Sequence, residues 1–579
     1  MKQFSRLPLL RYCFQVLLVL SAAWLLHTTA WAQAPGWQGA AAIGNSTNAT
    51  SANGIFAMAP EAGGNVYVTG TFYDRAVFNG TTITSQADGS GFVAKWSPVT
   101  RRFIWVIQFG GGQGVVTPLA LAVRGADVFV AGGFTVTGLN WGNAAFVSNS
   151  SFGNSDGFVA KLTDLGSSVS YGWLQRAGGS GYDLVEGLAI SGNNVYVAGT
   201  FSGTAAFGGT SAASLGSRDG FVAKLTDAGA SGAFTWVQRI GGTGVEEGHK
   251  VAAANGNLYV TASTSGSVTL GNATYTSAGG TDGLVVKLTD AGSSGSVGWV
   301  QQLQGTGNEV AQDVAVSGAA VYVAGSFTSA AAAFGPATLS SAGGLDGVVA
   351  RLTDAGPTGV VAWAQRLGGP FDDEPQALTV VGGKAFVAGY FNSGGSASGP
   401  VATFGSTSLQ AVGGSDAFLT RLTDTGLTGR FDWAQAAGSA ADDYANAVSV
   451  NGITPCVGGF FTGASCALGA TNLSNLYPGS ATSFVASLTD VTLATRDVSL
   501  QAGLGLYPNP AHGTTTVLLP ASAAPASLTL LDALGRVLRV QAASTGAPVA
   551  FDLEGIAPGM YTLRVQTGAS WFVRTLIVE

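Results

Sequence analysis

The stretch DGFVAKLTDAG (Asp219–Gly229) decides the fold, because the chain repeats it with small changes. The other copies begin at Asp156, Asp282, Asp346 and Asp416. Asp-Gly is typical of a turn, since glycine tolerates positive φ and aspartate can bond nearby backbone. Phe221, Ala223 and Leu225 then fall on one face of a strand. We predict that each copy supplies a turn and a strand of one repeated unit, and that Thr226 to Gly229 opens the next turn.

Tryptophan marks the length of that unit. Seven tryptophans recur at intervals of 63 to 70 residues: Trp37, Trp105, Trp173, Trp236, Trp299, Trp363 and Trp433. Between them lie a Gly-rich turn, a strand-like segment, a Val-Tyr-Val-Ala-Gly segment, a Phe-Gly insert and the DGFVAKL segment. This order predicts four main strands in each of seven units.

A four-stranded sheet of this kind needs a neighbour on both sides. Segments such as Val195–Phe201 are apolar on both faces, which suits a sheet packed between two others. Seven such sheets arranged around an axis form a β-propeller, and an open β-solenoid is the alternative. The strand at Trp37 is expected to pair with Phe484–Leu488 and close the ring. The predicted class is therefore all-β, with a seven-bladed propeller of four-stranded blades.

The repeat resembles a known family. Asp-Gly-Phe-Val-Ala-Lys-Leu, Trp-Val-Gln followed by Gly-Gly, and Asn-Val-Tyr-Val-Ala-Gly are similar to the bacterial β-propeller repeat family of exported proteins, over residues 37–490. Ser90 and Thr482 depart from the pattern where the other units have Asp. The resemblance implies a propeller and a location outside the cytoplasm, and implies little about activity.

The N-terminus is predicted to be a signal peptide, residues 1–32. Lys2, Arg6 and Arg11 precede the apolar run 14–26, and Ala30-Trp-Ala32 fits a cleavage site. A retained N-terminal anchor is the alternative, although the apolar run is too short for a permanent span. No later segment is apolar for long enough to cross a membrane. Net charge is −7, and the signal removes only basic residues, so nucleic acid is not an expected partner.

The C-terminal residues resemble the C-terminal sorting domain of type IX secretion substrates. Short alternating strands with Pro- and Gly-bearing turns predict a small β-sandwich over 504–579, after a linker at 491–503 and a propeller domain at 33–490. The matching motif residues are Tyr507, Pro508, Asn509, Pro510, Gly535, Arg536, Gly559 and Tyr561. The resemblance implies recognition by the type IX secretion machinery and export to the cell surface or the extracellular space.

One group of acids is a candidate site. An acid stands ten residues after five of the tryptophans, at Asp183, Glu246, Glu309, Asp373 and Asp443. In a propeller these share a rim with the Asp of the repeated stretch, at Asp156, Asp219, Asp282, Asp346 and Asp416. Clustered carboxylates suit Ca²⁺ or a cationic ligand. The alternative is that each acid caps its own turn by accepting backbone N–H bonds.

Other polar residues are expected to be structural. The repeated base at Lys95, Lys161, Lys224, Lys287, Arg351 and Arg421 is interpreted as protection of an edge strand against aggregation. The tryptophans are expected between blades, with their indole N–H groups bonded locally. His249 is interpreted as a solvated turn residue rather than a base. Cys456 and Cys466 are a candidate disulfide in an oxidising compartment, and two buried thiols are the alternative.

We expect a monomeric binding scaffold without catalytic residues, which uses a rim of loops to bind an extracellular glycan or protein. The alternatives are a polysaccharide-active or quinone-dependent enzyme and a structural adhesin. Two carboxylates suffice for acid catalysis on sugars, but no unit carries a distinctive polar insert. The fold class does not decide among these functions.

Overall fold

The computed structural model describes residues 35–489 and 505–579, with short gaps. The gaps are 46–52, 87, 136–137, 147, 149–153, 395–400 and 453 in the first part, and 519–525, 533–536, 544–547 and 568–569 in the second. The predicted signal peptide, the linker 491–503 and the motif residues Gly535 and Arg536 lie outside the described residues. Regular structure in the described residues consists of β-strands, which confirms the all-β class. The chain divides into two compact units after Asp490.

The first unit contains seven antiparallel sheets of four main strands, which we call sheets 1 to 7. The strands are given from the inner strand to the outer strand. Sheet 1 has Gly54–Pro60, Val66–Phe72, Ser90–Ser97 and Arg102–Phe109; sheet 2 has Val116–Arg124, Asp127–Phe134, Asp156–Asp164 and Val169–Gly179. Sheet 3 has Asp183–Ser191, Asn194–Phe201, Asp219–Asp227 and Gly232–Ile240; sheet 4 has Glu246–Ala254, Asn257–Thr264, Asp282–Asp290 and Gly295–Gln304. Sheet 5 has Glu309–Ser317, Ala320–Phe327, Asp346–Asp354 and Gly359–Leu367; sheet 6 has Asp373–Val381, Lys384–Asn392, Ser415–Asp424 and Gly429–Ala437. Sheet 7 has Asp443–Asn451, Thr454–Phe461, Thr482–Leu488 and Trp37–Asn45.

The Phe-Gly inserts form a short hairpin between the second and third strands of each sheet. The seven hairpins are Arg75–Phe78 with Thr81–Thr84, Leu139–Trp141 with Ala144–Phe146, Thr204–Phe207 with Thr210–Ala213, Ser267–Leu270 with Ala273–Thr276, Ala332–Phe334 with Ala337–Leu339, Ala402–Phe404 with Thr407–Leu409, and Ser465–Leu468 with Thr471–Ser474. Hairpins reach back to the outer strand of the preceding sheet, as in the pairing of Ala177 with Phe207. They therefore tie neighbouring sheets together by backbone hydrogen bonds.

The inner strands of the seven sheets form a closed cycle of neighbours. Each inner strand contacts the inner strand of the next sheet, and the inner strand of sheet 7 contacts that of sheet 1. Apolar side chains fill the space between adjacent sheets: Tyr196 and Ala198 of sheet 3, for example, pack with Leu258 and Val260 of sheet 4. The second strands are buried on both faces for this reason, and every residue of Val66–Phe72 is buried.

Sheet 7 combines the two ends of the repeat. The strand Trp37–Asn45 pairs with Thr482–Leu488 in antiparallel register, with Ala40 opposite Ala486. Across the junction with sheet 1, Asn53 N–H donates to the carbonyl of Ala481 at 3.1 Å. Ile43 and Ile55 belong to one buried apolar cluster that spans sheets 7 and 1. Burying a side chain of this size contributes about 1.5–3 kcal/mol to stability.

The Asp-Gly pair differs from the sequence prediction. Asp219 and Gly220 begin the strand Asp219–Asp227 and do not form a turn. A Cβ at Gly220 would lie 2.9 Å from the backbone N of Gly248 in sheet 4. The glycine is therefore needed because the next sheet approaches closely, whereas Gly229, with φ of +86°, is the residue that forms the turn.

The second unit contains two further antiparallel sheets. One comprises Gly505–Tyr507, Thr514–Leu518 and Val549–Asp552; the other comprises Val537–Ala543, Ala526–Leu531, Gly559–Thr567 and Ser570–Val578. Their inner faces share one apolar cluster that includes Val517, Phe551, Leu563 and Leu576. This cluster gives the unit a core of its own.

Candidate functional site

Each of the seven inner strands contains a β-bulge at the same place. The pairing with the second strand shifts by one residue at Phe56, Leu119, Glu186, His249–Lys250, Gln312, Gln376 and Asn446. A bulge re-aims the extra residue and bends the strand. Because the inner strands form a cycle, the seven bulges bring these residues together.

The bulge residues line a cavity of about 360 Å³ to which all seven sheets contribute. Its lining divides into two parts. The apolar part consists of Phe56, Leu119, Tyr390, Tyr444 and Phe460, and the polar part consists of Glu186, His249, Lys250, Gln312, Gln376 and Asn446. The volume lies in the range of small-molecule sites, which combine apolar side chains with polar groups that orient the ligand.

Lys250 holds the bulges of neighbouring sheets in place. Its Nζ donates to the carbonyl of Glu186 at 2.7 Å and to the carbonyl of Leu119 at 3.2 Å. Asn446 acts similarly between sheets 7 and 1, where its Nδ2 donates to the carbonyl of Ile55 at 3.0 Å. Backbone carbonyls freed by the bulges thus gain donors, as buried carbonyls require.

His249 and Glu186 meet across two sheets. The Nδ1 of His249 lies 3.5 Å from Oε2 of Glu186, and its Nε2 lies 3.2 Å from Oγ of Ser263. The His249 side chain is 12% exposed. The interpretation of His249 as a solvated turn residue was therefore wrong, since the residue lies in an inner strand and lines the cavity.

The aromatic part of the wall is held rigidly. The rings of Tyr444 and Phe460 stack with centroids 5.0 Å apart, and Tyr390 meets Tyr444 edge-on at 4.8 Å. The hydroxyl of Tyr390 donates to Oε2 of Glu374 at 2.8 Å. Burial raises the pKa of Glu374.

The ten predicted rim carboxylates lie in five pairs between neighbouring sheets. Each pair joins the start of a third strand to the start of the next inner strand: Asp156 with Asp183, Asp219 with Glu246, Asp282 with Glu309, Asp346 with Asp373, and Asp416 with Asp443. All ten side chains are almost completely buried. Backbone hydrogen bonds also join the neighbouring sheets beside such a pair: Asp183 N–H donates to the carbonyl of Ser155 at 2.8 Å.

These acids accept hydrogen bonds from their turns. Gly179 N–H donates to Asp183 at 2.7 Å, Gly369 N–H to Asp373 at 2.6 Å, and Ser439 N–H to Asp443 at 2.6 Å. Burial, together with the paired carboxylate, raises the pKa of all three acids to about 7. Burial also raises the pKa of Asp416 to about 6.

The described residues contain no group of three or more His, Cys, Asp or Glu side chains arranged to hold a metal ion. Each carboxylate pair supplies two side chains, whereas Ca²⁺ takes six to eight oxygen ligands. The binding of Ca²⁺ or a cationic ligand at these ten acids stays a prediction. The hydrogen bonds from Gly179, Gly369 and Ser439 have the geometry of the alternative interpretation, in which each acid caps its turn by accepting backbone N–H bonds.

The repeated base has a different role from the one the sequence suggested. Lys224 of sheet 3 is buried, and its Nζ lies 2.7 Å from Oδ2 of Asp290 in sheet 4. The same bridge links Lys95 to Asp164, Lys161 to Asp227, Lys287 to Asp354 and Arg351 to Asp424. Arg421 bonds Asp432. These bases lie on third strands, which are not edges, so the edge-strand interpretation was wrong.

The tryptophans bind the same aspartates. Trp236 Nε1 donates to Asp290 at 3.1 Å, and Tyr196 Oη donates to the other oxygen of that carboxylate at 2.7 Å. Trp105, Trp173, Trp299 and Trp363 donate in the same way to Asp164, Asp227, Asp354 and Asp424. These five indole N–H groups are therefore bonded to the next sheet, and not locally as predicted, while Trp37 Nε1 donates to the carbonyl of Ala436 in sheet 6 at 3.2 Å. We call each such aspartate with its donors an inter-sheet clamp.

Cys456 and Cys466 are both buried and free in the structure. The candidate disulfide is therefore absent, and the structure has the two buried thiols of the alternative interpretation.

In the second unit, two motif residues make hydrogen bonds at strand ends. Asn509 Oδ1 accepts from Ile577 N–H at 2.8 Å, and Tyr561 Oη donates to the carbonyl of Ala557 at 2.7 Å. These two motif residues fix the ends of strands.

Sequence reasoning missed the cavity, although a signal was present. In sheets 3 to 7 a bulge residue stands thirteen positions after the tryptophan of the preceding sheet. These residues are Glu186, His249, Gln312, Gln376 and Asn446. All five of these side chains are polar. A polar side chain that recurs at one position of the inner strands indicates a position that packing between sheets does not dictate.

Comparison with known proteins identifies the C-terminal residues. Residues 505–579 match the family described as secretion system C-terminal sorting domain. This segment is a type IX sorting domain. The resemblance noted in the sequence is thereby confirmed, and the chain is exported to the cell surface or the extracellular space. Within the described residues, no helix meets the length and hydropathy needed to cross a membrane.

Solved structures with similarity to the chain include a protein of unknown function from Dyadobacter fermentans, with 10% identity, a TM-score of 0.33, and coverage of 78% of this chain and 100% of that one. The sialidase of Trypanosoma rangeli gives 9% identity, a TM-score of 0.33, and coverage of 94% and 89%. The NanB sialidase of Streptococcus pneumoniae has 7% identity and a TM-score of 0.32, and the match covers 81% of this chain and 72% of that one. TM-scores this low support no conclusion about activity. No curated protein matches the sequence.

Proposed function

We propose that residues 37–490 form a seven-bladed β-propeller that acts outside the cell as a non-enzymatic binding scaffold, followed by a small β-sandwich that carries the export signal. The site of binding is the cavity at the centre of the ring. The observation that carries the proposal is the set of seven bulges, which direct side chains from all seven sheets into a single space.

Two properties of the cavity support binding. Its walls are fixed, because Lys250 and Asn446 bond neighbouring bulges together and the aromatic rings pack on one another. A pre-formed site loses less entropy when a ligand binds. The lining also changes around the ring, from aromatic residues on sheets 6, 7 and 1 to polar residues on sheets 3 to 6, which gives the site the asymmetry that recognition of one ligand requires.

The test is thermal stabilisation of the exported chain, residues 33–579, by saccharides, amino acids, nucleosides and short peptides. At least one class is expected to raise Tm, because a ligand that binds only the folded state stabilises it. Gln312→Trp, which fills the cavity, should abolish the rise. The matched control is Gln365→Trp, since the Gln365 amide bonds Thr428 Oγ1 at 3.1 Å away from the cavity.

Retention of the full rise in Tm by Gln312→Trp would overturn the proposal, because the ligand would then bind elsewhere. Absence of stabilisation by every class would overturn it as well.

An enzyme that acts on polysaccharides is a second candidate, because His249 faces Glu186 in the same cavity. A histidine oriented by a carboxylate is a common general base. Chromatography of each stabilising saccharide after incubation with the protein separates the two functions. Products that disappear with His249→Asn would establish catalysis, and an unchanged saccharide would establish binding alone.

A further inference from the structure

We infer that the ligand of the central cavity is an uncharged saccharide, either a short oligosaccharide or the end of a glycan chain. This inference rests on the proposed function and names its ligand class. It follows from the hydrogen-bonding groups, the aromatic rings and the charge of the cavity.

The polar part of the wall presents two unused amides. The side chains of Gln312 and Gln376 are half-buried and line the cavity, and neither has a hydrogen-bond partner among the described residues. Each amide both donates and accepts. A sugar hydroxyl also both donates and accepts, so pairs of hydroxyls satisfy such amides, whereas a purely apolar ligand would leave them unpaired.

The charged groups of the cavity are already occupied. The ammonium of Lys250 is bonded to two backbone carbonyls, and the Glu186 carboxylate faces His249. The Glu374 carboxyl accepts from Tyr390. The cavity thus contains one ammonium and one carboxylate that are both engaged by protein groups, and an uncharged ligand enters it without the desolvation penalty of a charge.

The apolar part of the wall suits the C–H face of a sugar ring. Tyr390, Tyr444, Phe460 and Phe56 lie together on the arc formed by sheets 6, 7 and 1. A sugar ring has C–H groups that can pack on such rings while its hydroxyls face the amides. The cavity of about 360 Å³ holds a small ligand and excludes a folded partner.

The experiment is calorimetric titration of residues 33–579 with neutral oligosaccharides of glucose, galactose, mannose and xylose. Glucuronic acid, glucosamine, free amino acids, nucleosides and dipeptides are the comparison compounds. At least one neutral saccharide should bind more tightly than its charged counterpart. Gln312→Ala and Gln376→Ala should each weaken that binding by about threefold to tenfold, the effect of one lost hydrogen bond.

Gln365→Ala is the matched control and should bind like the unchanged protein. Unchanged thermal unfolding shows that each variant is folded. If an amino acid, nucleoside or dipeptide binds instead, and the two cavity variants weaken it, the saccharide inference is overturned and the proposed function stands. If saccharides bind equally to all variants, or nothing binds, both are overturned.

Discussion

The Nζ atom of Lys224 lies 2.7 Å from Oδ2 of Asp290, and both side chains are less than 10% exposed although they belong to different sheets. The same carboxylate accepts from Tyr196 and Trp236. The hydrogen bonds from Lys224, Tyr196 and Trp236 all cross the gap between sheets 3 and 4. The clamp therefore fixes how adjacent sheets are placed, in addition to the apolar packing between them.

The first prediction concerns the strength of the clamp. Asp290→Ala leaves the Lys224 ammonium buried without its partner, so the free energy of unfolding should fall by about 3–5 kcal/mol. Chemical denaturation measures this loss in the free energy of unfolding. The control is Glu247→Ala, which removes the half-exposed bridge to Arg218 at 3.4 Å and should cost less than about 1 kcal/mol. Equal losses in the two variants would contradict a structural role for the clamp.

The second prediction concerns stability and pH. Burial raises the pKa of Asp443 to about 7, with its paired Asp416 contributing, so the folded protein binds protons more tightly than the unfolded chain between about pH 4 and 7. Stability should therefore fall as pH rises through this range. Asp443→Asn should flatten the curve, since the amide keeps partners for Ser439 N–H and Oγ. Denaturation midpoints at several pH values test this, and a wild-type midpoint that rises from pH 5 to 7 would contradict it.

The third prediction concerns the acid limit. Burial would raise the pKa of Asp354, but hydrogen bonds from Lys287, Tyr259 and Trp299 lower it to about 2. Stability from this clamp is present above the unfolded pKa and is lost as pH falls from about 4 to 2. Asp354→Asn should therefore be less sensitive to acid over that interval than the unchanged protein. Acid titration followed by tryptophan fluorescence measures the difference; identical acid transitions would count against the clamp.

The fourth prediction concerns a glycine beneath a tryptophan. A Cβ at Gly359 would lie 2.7 Å from the Trp299 ring, so Gly359→Ala should destabilise the protein by about 1–3 kcal/mol. Gly209→Ala is the control, because nothing lies within 4 Å of its Cβ position. Thermal unfolding compares them. A smaller loss at Gly359 than at Gly209 would show that the ring moves aside without cost.

The fifth prediction concerns the two thiols. Burial raises the pKa of Cys456 to about 12 and raises that of Cys466 as well. Neither should react with a thiol reagent in the folded protein, because the thiolate is the reactive form. Both should react after denaturation. Rapid labelling of the native protein, or a Tm that falls with a reducing agent, would contradict the free, buried state.

The periodic features of the fold were visible in the sequence because packing imposes them in every unit. The spacing from Trp173 to Trp433 and the alternation in Asp219–Gly229 follow from repeated strands between like neighbours. The partner of each repeated base was not visible. Lys224 and Asp290 are more than sixty residues apart, and only the position of one sheet beside the next brings them together.

The ten carboxylates show a similar division. Their spacing predicted that acids of neighbouring units approach one another, and the structure pairs Asp373 with Asp346. The spacing of these acids does not show how deeply their side chains are buried. The sequence therefore suggested an accessible rim, whereas in the structure the side chains are almost completely buried. The cavity was missed for a related reason: a β-bulge changes the direction of one side chain without changing the strand pattern around it.

The sequence by itself determined the all-β class, the repeat length and the sorting domain, because these depend on residue order and local periodicity. Only the tertiary structure decided which residues face the centre. His249 and Glu186 are 63 positions apart and become neighbours because successive inner strands lie side by side in a closed cycle. Contacts of this kind depend on how one sheet packs against the next, which no single repeat specifies.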